Sequence, residues 1–388
     1  MIARDEIREL ANFHSPETCA LTFYYQPSTP QDLSHRSEAI LVKDMLRNAL
    51  RDAEKNGRGG CGQADIERVS ALVETLHGNG GKAKAVFACA RQNFWREFDL
   101  PPRLPQTQVI FNQRFHLKPL AALLGEGRKT LVVLADRTKA RVFKISSGEI
   151  TEEMDFLNEL TRRGKSDGYS GYDAGHVERR VLNEAAQHFK LIADYLKERY
   201  ERDGFDYLIV GCHDEQWPEI EPHLHTYSRQ KLIGHFRTDP KTATPDQVKE
   251  AALQRISQHE QEGKQRLITE VIGEAHRNAN GAIGLRRVLR SLEAGEVQTL
   301  LLGANFQAPG VKCYHCGHMD FHEAQDCTVC GKSNTHLDDI GDGIVGHAIR
   351  SNVDILWIDS NEEFNRIGRI AALLRFRADQ NTPMKVAV

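Results

Sequence analysis

Long apolar runs are missing from this sequence of 388 residues, and none approaches the roughly 20 residues that a bilayer-spanning helix needs. The N-terminal stretch MIARDEIRELAN contains acidic residues and lacks the apolar region and cleavage site of a signal peptide, so we expect a first helix there. We therefore expect a cytoplasmic protein without a membrane partner.

An excess of basic residues is missing as well. Lys and Arg number 51 against 54 Asp and Glu, which gives a net charge of −3. This balance argues against broad, nonspecific binding of nucleic acids. No DNA partner is expected, and any contact with RNA must be local or shared with a protein partner. The composition, 40% hydrophobic and 27% charged, and the length suit two or three domains that each bury a core.

The eight cysteines fall into two groups. Four are scattered along the chain, and we expect reduced, mostly buried thiols, because cytosolic proteins keep their thiols reduced. The scattered residues are Cys19, Cys61, Cys89 and Cys212. The other four lie close together near the C-terminal end and predict a metal site.

The clustered cysteines form two Cys-x-x-Cys pairs, Cys313 with Cys316 and Cys327 with Cys330, and a glycine follows each pair. Two residues between thiols let one turn present both sulfurs to one ion, and the glycine permits a tight backbone. Two such turns predict a tetrahedral zinc site, which is structural because a filled coordination shell leaves no position for a substrate. A histidine ligand, a redox-active disulfide and an iron–sulfur cluster are the weaker alternatives. The histidines concerned are His315, His318 and His322.

A polar loop rich in Gly and Tyr, RRGKSDGYSGYDAGH, precedes a long amphipathic helix expected at about 176–200. Its glycines oppose regular structure, and its basic residues and tyrosines suit RNA, where base stacking contributes about 1–3 kcal/mol per base. The alternative is an ordinary surface loop whose tyrosines fold back onto the domain. The candidate RNA-contacting residues are Arg162, Arg163, Lys165, Gly168, Tyr169, Gly171, Tyr172 and His176.

The order of strand and helix patterns indicates an α/β fold in three successive domains. We place these domains at 1–126, 127–262 and 263–388. In the second domain, KTLVVLADRTKARVFKI predicts a β-hairpin, and an acidic helix is expected at about 214–231. Each domain alternates buried strands with amphipathic helices, which predicts a sheet covered by helices.

The most one-sided run of charge lies between His276 and Arg290, where four arginines occur without an acid. Such a run could contact RNA. A solvated helix face is the commoner explanation.

Several stretches, in a shared order, resemble the archaeo-eukaryotic class I release factor and Pelota superfamily. The resemblance spans nearly the whole chain and implies three α/β domains in the release-factor arrangement, with a zinc knuckle inserted in the third. The stretches are FNQRFHLKPLAALL, KTLVVLADRTKARVFKISSGEITE, GLRRVLRSLEAGEVQTLLLG, the paired Cys-x-x-Cys motif and SNVDILWIDSNEEFNRIGRIAALLRF.

Two departures from the family pattern decide what the resemblance implies about function. Release factors carry a catalytic Gly-Gly-Gln before the long helix of the second domain, whereas this chain has SDGYSGYDAGH there and no Gln from Thr151 to Ala186. At the position of the stop-codon-reading Asn-Ile-Lys-Ser, it has SHRSEAI. The chain is therefore most similar to bacterial members of the superfamily that act in ribosome hibernation.

On this interpretation, the protein occupies the vacant A site of the 70S ribosome without catalysis. The first domain approaches the decoding centre, the candidate loop residues contact rRNA at the peptidyl-transferase centre, and elongation factor Tu is the expected partner, contacting the third domain. Two alternatives stay open. One is a rescue or release factor that hydrolyses peptidyl-tRNA with His176 in place of the Gln, and the other is an RNA-binding or interaction module that never meets the ribosome.

Overall fold

A computed structural model of the protein describes residues 2, 4–16, 18–27, 35–55, 62–76, 82–101, 104, 106–123, 128–146, 149–157 and 172–378. The chain forms two compact units, one of Met1–Gly125 together with Arg266–Val388 and one of Glu126–Gln265. The division into three domains remains a prediction, and each unit is described by itself.

The N-terminal segment of the first unit contains a four-stranded antiparallel sheet in the order β3-β2-β1-β4. Helices cover both faces. Leu10, Phe87 and Leu120 belong to the core under α1 and α4, and Phe23 and Leu46 belong to the core under α2 and α3. The elements are α1 (Arg4–Asn12), β1 (Ala20–Tyr25), α2 (His35–Lys55), α3 (Gln63–Thr75), β2 (Ala83–Cys89), β3 (Phe94–Leu100), β4 (Gln108–Asn112) and α4 (Lys118–Leu123).

The second unit contains a five-stranded mixed sheet in the order β7-β6-β5-β8-β9. Strands β5, β8 and β9 are parallel, and β6 is antiparallel to both of its neighbours. Phe189 and Leu196 of α5 lie in the core on one face, and Val248 of α8 lies in the core on the other. The elements are β5 (Thr130–Ala135), β6 (Lys139–Ser146), β7 (Glu149–Leu157), α5 (Tyr172–Asp203), β8 (Tyr207–Cys212), α6 (Trp217–Ile220), α7 (Thr226–Lys231), β9 (Leu232–Arg237) and the first part of α8 (Pro245–His276), which continues into the first unit from Arg266.

The C-terminal segment of the first unit contains a four-stranded sheet in the order β10-β16-β11-β15, in which only β11 and β15 pair in parallel. Val288 and Ile344 lie in the core on one face, and Val271 and Phe364 lie in the core on the other. The elements are β10 (Gly281–Ile283), α9 (Leu285–Glu293), β11 (Val297–Gly303), β12 (Gly310–Lys312), β13 (Met319–Asp320), β14 (Thr335–Leu337), α10 (Gly341–Arg350), β15 (Asp354–Ile358), α11 (Glu362–Arg366) and β16 (Ile370–Leu374).

The α/β fold predicted from the sequence is confirmed in all three segments, but one helix prediction is wrong. Instead of a single acidic helix at 214–231, the chain forms α6, a short 3-10 turn and α7. Pro218 and Pro222 lie inside this stretch, and each lacks the backbone N–H that a continuous helix needs. The short elements β10 and α11 and the small sheet β13-β12-β14 were not predicted.

The scattered cysteines behave in two ways. Cys89 and Cys212 are buried and free, as expected. Cys19 is buried but disulfide-bonded, so the expectation of a reduced thiol is wrong there. Pairing depends on which thiols the fold brings together, and isolated positions in the sequence do not show this. Cys61 lies outside the described residues.

The N-terminal and C-terminal segments of the first unit contact each other around the carboxylate of Asp342. Its Oδ1 accepts hydrogen bonds from the backbone N–H groups of Leu117 at 2.9 Å and Lys118 at 3.2 Å, and lies 3.0 Å from Nδ1 of His116. Lys118 Nζ in turn donates to Asp339 Oδ2 at 2.8 Å. We call these five residues the Asp342 clasp.

Further hydrogen bonds join the N-terminal and C-terminal segments of the first unit. Trp357 Nε1 donates to the carbonyl oxygen of Ala121 at 3.2 Å, and Arg350 Nη1 donates to that of Ala11 at 3.2 Å. Each bond joins residues that are distant in the sequence, so the two segments depend on each other for the satisfaction of buried polar groups.

Among the described helices, none is both long enough and apolar enough to cross a bilayer.

Candidate functional site

Most of the predicted RNA-contacting loop lies outside the described residues. This applies to Arg162, Arg163, Lys165, Gly168, Tyr169 and Gly171. Tyr172 begins α5 and His176 follows in the same helix, but their side chains are also outside the described part. The structure therefore defines the two ends of this loop and the sheet that carries them.

The loop begins at the edge where the parallel strands of the second unit end. Strands β7 and β5 run in the same direction because both are antiparallel to β6. Leu157, the last residue of β7, pairs with Lys139, and Ala135, the last residue of β5, pairs with Ala140. In open α/β sheets, loops at the carboxyl ends of parallel strands are the usual place for binding residues.

Helix α5 returns the chain from the loop to the sheet. It contains 32 residues, and at 1.5 Å per residue it is about 48 Å long. Of the predicted apolar stripe, Ala185, Phe189, Ile192 and Leu196 are buried, as expected, whereas the side chains of Val177 and Val181 lie outside the described part. Leu182 is 46% exposed, so burial of the described side chains begins at Ala185. About 20 Å of helix precedes that residue.

Asp136 fixes the turn between β5 and β6 beside the loop. Its Oδ1 accepts hydrogen bonds at 2.6 Å from the backbone N–H groups of Thr138 and Lys139 and from the Thr138 hydroxyl. Burial alone would raise the pKa of Asp136, but these bonds and a contact with Lys241 lower it. The carboxylate is therefore ionised and serves the turn.

Two other groups at this edge are also used within the fold. Arg137 makes two hydrogen bonds to the carboxylate of Glu219, at 2.9 and 2.5 Å. His188 is buried on α5, and its burial lowers the pKa of the imidazole, which favours the neutral ring. We therefore assign these side chains to the stabilisation of this edge of the sheet.

The four clustered cysteines come together in the C-terminal segment. Their sulfur atoms all lie within 4.8 Å of one another. Cys313 Sγ is 3.4 Å from Cys330 Sγ, and Cys316 Sγ is 3.5 Å from Cys327 Sγ. Four sulfurs at 2.3 Å from one ion in a tetrahedron are about 3.8 Å apart, so the group could hold a metal ion.

The two Cys-x-x-Cys turns have the same backbone geometry. The N–H of Cys313 donates to the carbonyl of His318, and the N–H of Gly317 donates to that of Cys313. In the second turn, Cys327 donates to Lys332 and Gly331 donates to Cys327. Gly317 and Gly331 have φ angles of 83° and 68°, a left-handed conformation that favours glycine. The repeated turn explains why the sequence has a glycine after each pair.

The nearby histidines have other contacts. His318 Nδ1 lies 2.7 Å from Glu293 Oε1, and His322 Nδ1 lies 3.2 Å from Asp320 Oδ1. Among the described residues, the group that could hold a metal contains only the cysteines. His315, which is exposed, is outside it. Sequence reasoning missed the contact with Glu293, which comes from α9 and has no local motif.

Comparison with known proteins connects the fold to a family. Residues 116–257 match the family model described as bacterial archaeo-eukaryotic release factor family 10. Peptide chain release factor subunit 1 of Pyrococcus abyssi is 25% identical over 299 residues, which cover 69% of this chain and 70% of that protein. The chain is thus similar to archaeo-eukaryotic release factors over about two thirds of its length, and its residues 116–257 match a bacterial family of such factors. The resemblance stated from the sequence is thus confirmed at the level of the superfamily.

Further members of this superfamily are similar to the chain. The protein of the same name from Archaeoglobus fulgidus is 25% identical over 305 residues, which cover 72% of this chain and 73% of that protein. The crystal structure of the archaeal termination factor aRF1 is 14% identical and covers 97% of this chain and 99% of its own, with a TM-score of 0.25. Dom34 of S. cerevisiae, a translation termination-like factor, is 12% identical and covers 78% of this chain and 82% of its own, with a TM-score of 0.42.

Proposed function

We propose that this protein is a non-catalytic factor that occupies the vacant A site of the 70S ribosome and acts in ribosome hibernation. The observation that carries the proposal is the sequence of the segment that follows β7 and runs into the start of α5. Release factors carry Gly-Gly-Gln at this position, and this chain has SDGYSGYDAGH without a glutamine. Gln187 lies inside α5, more than two helical turns after the loop, and is exposed.

The missing glutamine matters because of the chemistry at the peptidyl-tRNA ester. Hydrolysis needs a group that positions water against the ester carbonyl, held on a backbone that can enter a narrow pocket. The glycines supply such a backbone, but the chain has no side-chain amide beside them. Binding without cleavage is therefore the proposed outcome.

The loop would bind rRNA near the peptidyl-transferase centre. Tyr169 and Tyr172 would stack on bases, and Arg162, Arg163 and Lys165 would pair with phosphates. Gly168 and Gly171 would allow close approach of the backbone, and His176 would contact RNA from the start of α5. The N-terminal segment would approach the decoding centre.

Zinc is the proposed ion for the cysteine cluster, with Cys313, Cys316, Cys327 and Cys330 as its ligands. Thiolate sulfurs at tetrahedral spacing favour this ion over magnesium or calcium. Its role would be structural, because all four positions are filled by protein. The C-terminal segment that carries it is also the proposed contact for elongation factor Tu.

Cosedimentation with empty 70S ribosomes tests the proposal, with and without elongation factor Tu, followed by a peptide-release assay on the bound fraction. We expect binding without release of labelled peptide. The Tyr169→Ala and Tyr172→Ala double variant should bind more weakly, by roughly 1–3 kcal/mol for each base that loses its stacking partner. Absence of binding to ribosomes would favour an RNA-binding or interaction module outside translation.

The rival function is peptide release. It has one specific observation in its favour: the two archaeal relatives are named as peptide chain release factors. If bound protein releases peptide, His176→Gln and His176→Ala variants show whether that residue replaces the missing glutamine.

A further inference from the structure

Of the four arginines between His276 and Arg290, two form ion pairs with carboxylates and two do not within the described part of the chain. Arg277 lies 2.5 Å from Glu274, and Arg287 lies 3.5 Å from the buried carboxylate of Glu296. Arg286 and Arg290 are exposed, and neither forms an ion pair with a carboxylate in the described part of the chain. Half of the run is therefore free to meet an external anion.

The arginines of α9 are placed on one surface. Arg286 and Arg290 are four residues apart and lie one above the other on the same helix face. Together with Arg287 they line an open hollow of about 350 Å³ at the start of the helix. The rest of its lining is Ile283, Gly284 and Leu285.

The position of these charges is unfavourable for the isolated helix. The N-terminal end of a helix has a partial positive charge, which favours acids and disfavours bases. The first turn of α9 has no acid, and Gly284 at its N-cap has no side chain to accept a hydrogen bond. A bound anion would offset both the arginine charges and the helix end.

A fourth arginine, Arg369, directly precedes β16 and does not line the hollow. The N–H of Gly284 donates to the carbonyl of Ile370, which places the adjacent Arg369 beside the start of α9. Arg369 is exposed and has a left-handed backbone with φ of 58°, uncommon for a residue other than glycine. Its side chain passes over Gly303, where an added Cβ would lie 3.1 Å from the Cβ of Arg369.

We infer that Arg286, Arg287 and Arg290 form a contact surface for the phosphate backbone of RNA, which we call the α9 arginine surface. This inference rests on the proposed function and adds a second RNA contact, in a different unit from the 158–171 loop. Arginine matches phosphate with two parallel N–H donors, and backbone contacts of this kind position a protein without reading sequence.

RNA fits this surface better than an acidic protein does. A protein interface usually places apolar or aromatic anchors at its centre. The exposed apolar side chains of this segment, Val329 and Phe376, do not line the hollow. Three of its six lining residues are instead arginines, which carry the only charges of the lining.

The test compares the full-length protein with an Arg286→Gln and Arg290→Gln double variant. The probe is a double-stranded RNA of about 16 base pairs, the length that a small RNA-binding domain spans, and affinity is measured over a range of salt concentrations. We expect the variant to bind roughly 3- to 30-fold more weakly, as for the loss of two exposed ion pairs. The slope of log affinity against log salt should fall by roughly 1.5, which corresponds to two phosphate contacts.

The matched control is an Arg51→Gln and Lys190→Gln double variant, which removes two exposed cations elsewhere. Its affinity and salt slope should equal those of the wild type. An equal loss in both variants, or no loss in either, overturns the inference, as does a wild type that does not bind the RNA. Tight binding of polyglutamate that depends on Arg286 and Arg290, with RNA binding unchanged, would assign the surface to an acidic protein.

Ribosome binding separates this inference from the proposed function. If the wild type binds the RNA through Arg286 and Arg290 but does not cosediment with ribosomes, the proposed function fails and the α9 arginine surface stands. If the wild type binds ribosomes normally, and the double variant has the same affinity and salt slope as the wild type for both the RNA duplex and the ribosome, only the inference of the α9 arginine surface is contradicted.

Discussion

The cysteine cluster and the Asp342 clasp both stabilise the first unit, but they satisfy their polar groups by different means. The cluster brings four sulfurs within 4.8 Å of one another, close enough to hold a metal ion. The clasp surrounds one carboxylate with two backbone N–H groups and an imidazole from the other segment. On the proposal that the cluster holds zinc, the first is completed by an ion from solution, whereas the second is complete within the chain.

This difference determines which conditions weaken each region. Metal removal should act on the cluster and leave the clasp intact. A change of pH should act on the clasp, because His116 and Asp342 change the charge of the pair when they titrate. A variant in one region should not reproduce the effect of a variant in the other.

The largest expected effect comes from loss of the proposed metal site. Structural zinc contributes about 10–16 kcal/mol to the folding of small zinc-binding peptides, so Cys327→Ser should release the ion and unfold the stretch around β12–β14. Metal analysis of the purified protein and hydrogen exchange of residues 310–337 measure this. Cys212→Ala removes a buried free thiol outside the cluster and should keep the metal. A full complement of metal in the serine variant would contradict the four-cysteine site.

A smaller effect is expected from Asp342→Ala. The substitution leaves the Leu117 and Lys118 amides and His116 without their acceptor. Removal of one partner from a fully buried charged pair costs about 3–5 kcal/mol, and we expect a smaller cost here because 19% of the His116 side chain and 23% of the Asp342 side chain are exposed. Hydrogen exchange of α4 and α10 should accelerate accordingly, while exchange in the second unit stays unchanged.

Asp354→Ala is the control for that variant. Asp354 also joins the two segments, through Arg4 at 3.6 Å, but 70% of its side chain is exposed, and exposed pairs contribute about 0–1 kcal/mol. Equal acceleration in both variants would show that the clasp contributes no more than an ordinary surface pair.

The two regions also differ in how far the sequence predicts them. The Cys-x-x-Cys spacing and the two glycines predict the cluster because all of its parts are local. Asp342 lies in the first turn of α10, GDGIVGHAIR, and nothing in this stretch points to a distant partner. Its partners at 116–118 lie more than 220 residues away, and no local pattern connects them. The same limit applies to Glu293 and His318.

For the motif FNQRFHLKPLAALL, the sequence indicates a family resemblance but not a physical role. The motif resembles the release factor superfamily, and the match to the family model begins at residue 116 within it. The structure adds a physical role, since His116, Leu117 and Lys118 all contact Asp342. For the loop proposed to contact RNA, composition alone supports the hypothesis, because most of the loop lies outside the described residues.

The smallest expected effect is the pH dependence of the clasp. Burial alone would lower the pKa of His116, but Asp342 and, more weakly, Asp339 raise it above its usual value despite the nearby Lys118. Burial alone would raise the pKa of Asp342, but His116 and the amides of Leu117 and Lys118 lower it. The ion pair therefore stabilises the folded state most at pH values between the pKa of Asp342 and that of His116. The stabilisation that comes from the raised pKa of His116 is complete below a pH of about 6.5 and is lost as the pH rises through the folded-state pKa of His116.

Hydrogen exchange of α4 and α10, compared between the wild type and His116→Gln at each pH, isolates this part. We expect the wild type to be more protected at pH values near 6, and the difference to shrink as the pH rises through the raised pKa of His116. It should not vanish, because the neutral ring can still donate its Nδ1–H to Asp342. A difference that is constant with pH would mean that the imidazole acts only as a hydrogen-bond donor and that its charge contributes nothing to the clasp.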